Sequence, residues 1–363
     1  MRSGWTSDAT EVYSVSGIRD HVYKHHPTHF WLIKGGDFLV GTASLFRDDG
    51  FPFPSWGNVV AIGNDWADRW QANMYHPRGL EYSVINRFSD ATGGYMERDR
   101  RLAGYQPAER GFGGGLDLHG HTQSAFFQEG ELVAYETWPR FDYAAGDATN
   151  SWLTSEAAEV YRQLVFLKPD TVVVYDRVKL GPEAKTTRWL AATGPVLSSE
   201  GSRFAIRSGD ARAEGLVLLP ERAAIHTYRG LDRYPKLFWE GQSVDQHVLE
   251  IEPATSAAEV EYFVVLRVGE KELAPVAARL VQDDGLVGAE LDLGDGKARV
   301  LFRRQGPLGG RLSLLPEDGK SFEHELASGV DDTYRHWSAD PRYQMWTTDP
   351  RFEHFVLGRD RTR

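Results

Sequence analysis

Residues 141–178 read FDYAAGDATNSWLTSEAAEVYRQLVFLKPDTVVVYDRV, and this stretch decides the fold. It contains two strand-like runs, Tyr161–Leu167 and Thr171–Val178, with Lys168-Pro169-Asp170 between them. A proline in such a short connection favours a turn, so the two runs are predicted to form a β-hairpin. The second run includes the apolar sequence TVVVY without alternation, which is typical of a strand buried on both faces. We therefore predict that this hairpin is the centre of a layered β domain.

A corner precedes the hairpin at Gly146–Thr149, where the sequence is Gly-Asp-Ala-Thr. Aspartate and threonine side chains commonly accept hydrogen bonds from backbone N–H groups a few residues away. Asp147 and Thr149 are therefore predicted to stabilise this corner rather than to react.

The composition predicts many short strands joined by tight turns. The 363 residues include 37 Gly, 17 Pro, 18 Phe, 15 Tyr and 11 Trp. No amphipathic pattern of three helical turns is present, and residues 156–161 are compatible with one helical turn at most. The predicted fold class is all-β, a large antiparallel multi-sheet β-sandwich (supersandwich-like) with little helix. We expect residues 1–255 to form the main sandwich and residues 256–363 a C-terminal β layer, either separate or part of the same supersandwich.

Charge and cysteine content exclude several classes of function. The net charge of -11 argues against general nucleic-acid binding. There is no cysteine, so disulfides and thiolate chemistry are excluded. No apolar run is long enough to span a bilayer, and residues 1–5 do not have the pattern of a signal peptide, so no membrane partner is expected. These features do not indicate a cellular compartment.

Four histidines, His21, His25, His26 and His29, follow the first predicted strand and lead into the second, Thr28–Ile33. A loop at the mouth of a strand is a common place for functional groups, and imidazole suits zinc ligation or proton transfer near neutral pH. The alternative is a polar loop with His29 packed beside Phe30.

A second group follows the two-residue period of a strand. Asp117, His119 and His121 share one face of the predicted strand 116–127, where they would form a metal site or a base held by a carboxylate. An alternating strand also carries polar residues on its wet face, which is the plainer alternative. The predicted metal ligands are His26, His119 and His121, and imidazole ligands suit zinc.

Candidate substrate contacts lie in the long irregular stretches. Arg98, Arg100 and Arg101 suit bidentate binding of carboxylates or sulfates, although they alternate with Glu97 and Asp99 and would also suit a self-paired loop. Trp56 is a candidate for stacking on a sugar, although most aromatic residues in a β domain of this size belong to the core.

Five stretches together resemble the β-sandwich region of polysaccharide lyases of the heparinase II/III type. They are RSGWTSDATEVYSVSG (2–17), HHPTHFWLIKGGDFLVG (25–41), NVVAIG (58–63), FDYAAGDATNSW (141–152) and RQLVFLKPDTVVVYDRV (162–178). The resemblance implies the C-terminal β part of such a lyase without its helical toroid. It also implies an acidic, uronate-containing polysaccharide as partner, β-elimination as the reaction, a secreted or periplasmic location, and a helical toroid domain or second chain as a further partner.

The resemblance carries over to individual residues only in part. Strict alignment sets Val22 and Lys24 at the family's His-x-His pair, and a slip of one residue brings His21 or His25 into those roles. Tyr23 is the candidate acid or base beside them. The resemblance also implies a structural zinc, and two of the family's three zinc ligands fall at Gly41 and Gly57. Two classes of function therefore stay open: a lyase, and a non-catalytic carbohydrate-binding or structural module left from a lyase whose helical catalytic part is absent.

Overall fold

The computed structural model describes residues 1–16, 28–41, 60–62, 131–149, 157–182, 184, 186–229, 247–270, 272–317 and 319–329. Every regular element in these ranges is a β-strand, and all strand pairs are antiparallel in three sheets. The prediction of an all-β, multi-sheet sandwich is confirmed. Among the described residues no helix is long and apolar enough to cross a membrane.

The central sheet contains the predicted hairpin. Its strands are β5 (Glu131–Thr137), β6 (Phe141–Asp147), β7 (Ala157–Leu167), β8 (Thr171–Leu180), β10 (Val196–Glu200), β11 (Arg203–Ser208), β12 (Ala211–Leu219) and β15 (Glu259–Gly269). They run in the order β10-β11-β12-β15-β8-β7-β6-β5, so β7 and β8 lie well inside the sheet.

Two further sheets complete the described part of the molecule. A seven-stranded sheet consists of β1 (Thr10–Val15), β2 (His29–Lys34), β3 (Asp37–Val40), β4 (Val60–Ile62), β9 (Thr187–Thr193), β13 (Ala223–Arg229) and β14 (His247–Pro253). A five-stranded sheet consists of β16 (Ala278–Asp283), β17 (Leu286–Asp292), β18 (Gly296–Arg303), β19 (Gly310–Pro316) and β20 (Phe322–Leu326).

The middle of the central sheet is buried on both faces, as the TVVVY run predicted. Every residue of β8 from Thr171 to Val178 is buried. Because side chains alternate along a strand, Val172 and Val174 enter one apolar core, whereas Val173 and Tyr175 enter another. The first core is shared with the seven-stranded sheet and the second with the five-stranded sheet. The described part is therefore a three-layer sandwich.

The expected division at residues 255 and 256 stays a prediction. The strand that follows it, β15, pairs with both β8 and β12 in the central sheet. The later strands β16 to β20 make up the five-stranded outer sheet.

Candidate functional site

The histidine-bearing stretch begins and ends at one place in the seven-stranded sheet. Strands β1 and β2 are antiparallel, and Val15 is paired with His29 at their ends. Ser16 and Thr28 are the last described residues before and after the intervening segment. Of the predicted site, His21, Tyr23, His25 and His26 lie outside the described residues. The structure thus describes the base of this loop, which we define as Ser16 and Thr28.

The loop base rests on the Gly-Asp-Ala-Thr corner. A Cβ atom at Gly146 would lie 2.2 Å from Ser16 Oγ and 3.1 Å from Thr28 Cγ2. Only glycine allows this approach, because the first distance is far inside van der Waals contact. The corner and both ends of the histidine loop therefore meet at Gly146.

The corner is stabilised as the sequence predicted. The backbone N–H of Thr149 donates to Asp147 Oδ1 at 2.8 Å. The Thr149 hydroxyl oxygen accepts from the Val160 N–H at 3.0 Å, which attaches the corner to β7. Both side chains therefore serve backbone groups, and they hold Gly146 against the loop base.

A buried ion pair fixes the loop base from below. Arg162 on β7 faces Asp176 on β8 in register, and the guanidinium makes two hydrogen bonds to the carboxylate, Nε–Oδ1 at 2.6 Å and Nη2–Oδ2 at 2.8 Å. Both side chains are only 2% exposed. Arg162 Nη1 also donates to the carbonyl oxygen of Thr28 at 3.0 Å. A charge from the hairpin thus holds the residue at which the loop ends.

The surroundings of this pair are apolar and aromatic. The guanidinium carbon lies 5.4 Å from the centre of the Phe30 ring and 5.8 Å from that of Trp189. Burial raises the pKa of Asp176 above its ordinary value, while Arg162 opposes this rise. Losing either partner would leave the other charge in a dry site.

His29 is part of the packed sheet. It is 1% exposed, and its ring meets the edge of the Trp31 ring with a centroid distance of 4.2 Å and an interplanar angle of 80°. Phe30 points to the opposite face, into the core under the central sheet. His29 is therefore packed in the sheet, as the plainer alternative expects, and the Trp31 ring is one of its neighbours.

Gly41, one of the two positions where the resemblance expects a zinc ligand, has no room for a side chain. A Cβ at Gly41 would lie 2.2 Å from Trp31 Cδ1, and its φ of 136° also disfavours other residues. In the described ranges no three His, Cys, Asp or Glu residues are grouped so as to hold a metal ion. Gly57 and the predicted ligands His26, His119 and His121 lie outside those ranges, so the zinc stays a prediction.

The remaining predicted contacts, Arg98, Arg100, Arg101 and Trp56, also lie outside the described residues and stay predictions. Sequence reasoning missed Arg162 and Asp176. A signal was present, since Arg162 is the one charged residue in Tyr161–Leu167, and Thr171–Val178 contains only the adjacent charges Asp176 and Arg177. When residues are counted outward from the turn at Lys168-Pro169-Asp170, Arg162 and Asp176 fall at paired positions of the hairpin.

Comparisons with known proteins find structural similarity without a family assignment. No protein-family profile matches the chain, and no curated protein matches it significantly. The chain is similar to heparan sulfate lyase HepC from Pedobacter heparinus, with a TM-score of 0.47 and 14% identity over 90% of this chain and 41% of that one. It is also similar to a crystal structure of heparinase III, with a TM-score of 0.49 and 10% identity over 90% and 41%. The chain therefore spans about two fifths of the length of these proteins.

Substituting Gly146 should loosen the loop base. We expect Gly146→Ala to lower the free energy of unfolding by about 1–3 kcal/mol, because the new methyl group overlaps Ser16. Adding Ser16→Gly should recover part of this loss, since the overlapping hydroxymethyl group is then gone. Chemical denaturation of the single and double variants measures both effects.

The control for this pair is Gly329→Ala, because a Cβ at Gly329 meets no atom within 4 Å. It should change stability by no more than about 0.5 kcal/mol. If Gly146→Ala were as mild as this control, the close approach of the loop base to the corner would be contradicted.

Breaking the buried ion pair should cost more than breaking an exposed one. We expect Arg162→Met to lower the free energy of unfolding by about 3–5 kcal/mol, because Asp176 is left charged and dry. The double variant Arg162→Met/Asp176→Leu should recover much of that loss, since no charge then remains. Urea denaturation of the single and double variants measures these differences.

Arg279→Ala is the matched control. Its ion pair with Glu290 is exposed, at 70% and 38% of the two side chains, and should contribute only about 0–1 kcal/mol. Equal losses for Arg162→Met and Arg279→Ala would count against the role given to the buried pair.

Proposed function

We propose that this chain is a polysaccharide lyase-type β-sandwich that acts on, or binds, acidic uronate-containing polysaccharide. The observation that carries the proposal is the meeting of three pieces at Gly146: the start of the histidine loop, its end, and the Gly-Asp-Ala-Thr corner. These pieces belong to the stretches on which the resemblance to heparinase II/III-type lyases rests. Their contact supports the view that they form one functional region.

The loop base has the rigidity that a site on a loop requires. Functional groups on loops work best when a fixed scaffold holds the loop ends. The Thr28 carbonyl is held by Arg162, and Arg162 is held by Asp176 within the central sheet. Imidazoles carried between Ser16 and Thr28 would therefore start from a fixed frame, and they titrate near neutral pH.

In the proposed reaction, a base removes the proton on the carbon next to the uronate carboxylate. The electron pair left behind forms a carbon–carbon double bond as the glycosidic C–O bond breaks. An acid then protonates the leaving oxygen, and a group that neutralises the carboxylate makes the first step feasible. We assign neutralisation or proton removal to His21 or His25 and give Tyr23 the acid or base role. Arg98, Arg100, Arg101 and Trp56 are the proposed substrate contacts.

The second candidate is a non-catalytic carbohydrate-binding or structural module. The lack of space at Gly41 favours this second candidate. In the family this position carries a zinc-binding Asp, whereas here it has no room for a side chain. A helical toroid domain or a second chain would then supply the groups that complete the reaction.

The elimination assay separates the two candidates. Incubation with heparan sulfate, chondroitin sulfate, alginate and ulvan should give the ultraviolet absorbance of an unsaturated uronate with at least one of them. We expect His21→Ala or His25→Ala to lower this rate by about a hundredfold or more, and Tyr23→Phe to lower it as well. His226→Ala is the matched control, since His226 is exposed and lies on β13.

Binding of one of these polymers without the absorbance would support the module. Neither binding nor absorbance with any of the four would contradict the proposal as a whole.

A bound zinc is tested separately. We expect metal analysis of the purified chain to find about one zinc per chain, and His26→Ala, His119→Ala and His121→Ala each to reduce the occupancy, because zinc sites need three or four ligands. His324→Ala serves as a control on a histidine outside the predicted set. Zinc that is absent, or unchanged in all three variants, would rule out the proposed metal site.

A further inference from the structure

An exposed tryptophan lies at the end of the central sheet away from the histidine loop. Trp138 follows β5 in the turn to β6, and 40% of its surface is exposed. Its ring stacks on Phe141, with a centroid distance of 6.1 Å and an interplanar angle of 16°. His324 and Phe322, both on β20, approach it at 5.0 Å and 6.0 Å. The exposed surface of the indole is therefore the part turned away from these three rings.

Hydrogen bonds hold this ring in one orientation. The indole N–H donates to Glu136 Oε2 at 3.2 Å, and the same oxygen contacts His324 Nε2 at 2.5 Å. The other oxygen of Glu136 accepts from the Ala327 N–H. Glu136 thus joins the edge of the central sheet to the edge of the five-stranded sheet and fixes the indole between them. A flat apolar surface that is already immobilised loses little conformational entropy when a ligand binds.

The turn that carries Trp138 also carries a cation. Arg140, two residues after Trp138, has a side chain that is 45% exposed, and its ion pair with Asp295 is loose at 3.8 Å. Lys168 fixes the turn from below, since its Nζ donates to the Trp138 carbonyl at 2.8 Å and lies 2.8 Å from Asp142 Oδ1. The same short turn therefore carries a partly exposed indole and, two residues later, an accessible guanidinium.

We propose that Trp138 and Arg140 form a second binding site, for an acidic sugar unit of a polysaccharide. The apolar C–H face of a pyranose ring packs on the indole, and a carboxylate or sulfate binds the guanidinium, which presents two parallel N–H donors to such groups. The class of ligand rests on the proposed function, whereas the site itself rests on the geometry of this turn.

The position of this site explains what it would do. Phe141 and Gly146 lie near opposite ends of β6, about 17 Å apart at the rise of an extended strand. A polymer held at the turn would be delivered to the loop end of the same sheet at a raised effective concentration. The second site would thus favour long chains over short ones.

Trp5 provides a natural control. It is also an exposed tryptophan, at 91%, and Arg2 lies over its ring at 5.1 Å. Nonspecific binding of the ligand to exposed indoles would involve Trp5 at least as much as Trp138. A specific site that depends on the packed and hydrogen-bonded Trp138 indole instead predicts that only substitution of Trp138 weakens binding.

The experiment is calorimetric titration of the full chain with a heparan sulfate hexasaccharide, and with cellohexaose as a neutral probe. We expect Trp138→Ala to weaken binding of the acidic hexasaccharide roughly tenfold or more. Arg140→Glu, a change at a side chain that is 45% exposed, should weaken it at least about threefold and leave any cellohexaose binding unchanged. Trp5→Ala should change neither.

Several results would overturn the inference. They are no binding of the acidic hexasaccharide by the unaltered chain, equal losses for Trp138→Ala and Trp5→Ala, and no effect of Arg140→Glu. Thermal melting of each variant checks that a loss of affinity is not a loss of fold. The proposed function fails separately, since it depends on formation of unsaturated uronate and on the loop variants His21→Ala and His25→Ala.

Discussion

The structure depends on the inner strands of the central sheet, which are buried on both faces. Strands β7, β8 and β15 send alternate side chains into two different apolar cores, so neither side of these strands can be left in water. Each face of the sheet must be covered by another layer, and the seven-stranded and five-stranded sheets provide those layers. The hairpin of residues 157–180 is therefore the element on whose two faces both outer sheets pack.

Within this dry interior, the ion pair between Arg162 and Asp176 holds the loop base in place. Arg162 and Asp176 would be costly to bury alone, and replacing both by apolar residues is expected to cost little. Their presence is better understood through what Arg162 does with its third contact, the carbonyl of Thr28. The pair ties the entrance of β2 to the middle of the central sheet. We propose that the Arg162–Asp176 pair serves to place the loop base specifically, and not to increase the stability of the fold.

Much of the architecture could be predicted from the sequence because its strongest signals are local. The hairpin, the burial of TVVVY on both faces and the capping by Asp147 and Thr149 depend on a few neighbouring residues. The helical turn considered for residues 156–161 was wrong from Ala157 onward. Alanine and glutamate favour helix there, but pairing with the end of β8 overrides that preference.

Strands β13 and β20 lie at the edges of their sheets. The pattern of β13 is mostly exposed and that of β20 is mixed, so neither presents the apolar run by which a strand is usually found. The candidate site was harder still. The approach of Gly146 to Ser16 and Thr28 joins residues far apart in the chain, and no local pattern reports it. Trp138 gave no signal of its own, because its packing partners lie on β20.

The pairing of β8 with β15 has a consequence for biosynthesis. Residues 171–179 emerge from the ribosome well before residues 259–267, their partners in the sheet. Until the later strand arrives, β8 has an unpaired backbone edge and two uncovered apolar surfaces, a combination that promotes association between chains. Such non-local pairing also slows folding. Production of this protein should therefore be sensitive to the rate of translation and to the supply of chaperones that shield nascent β-strands.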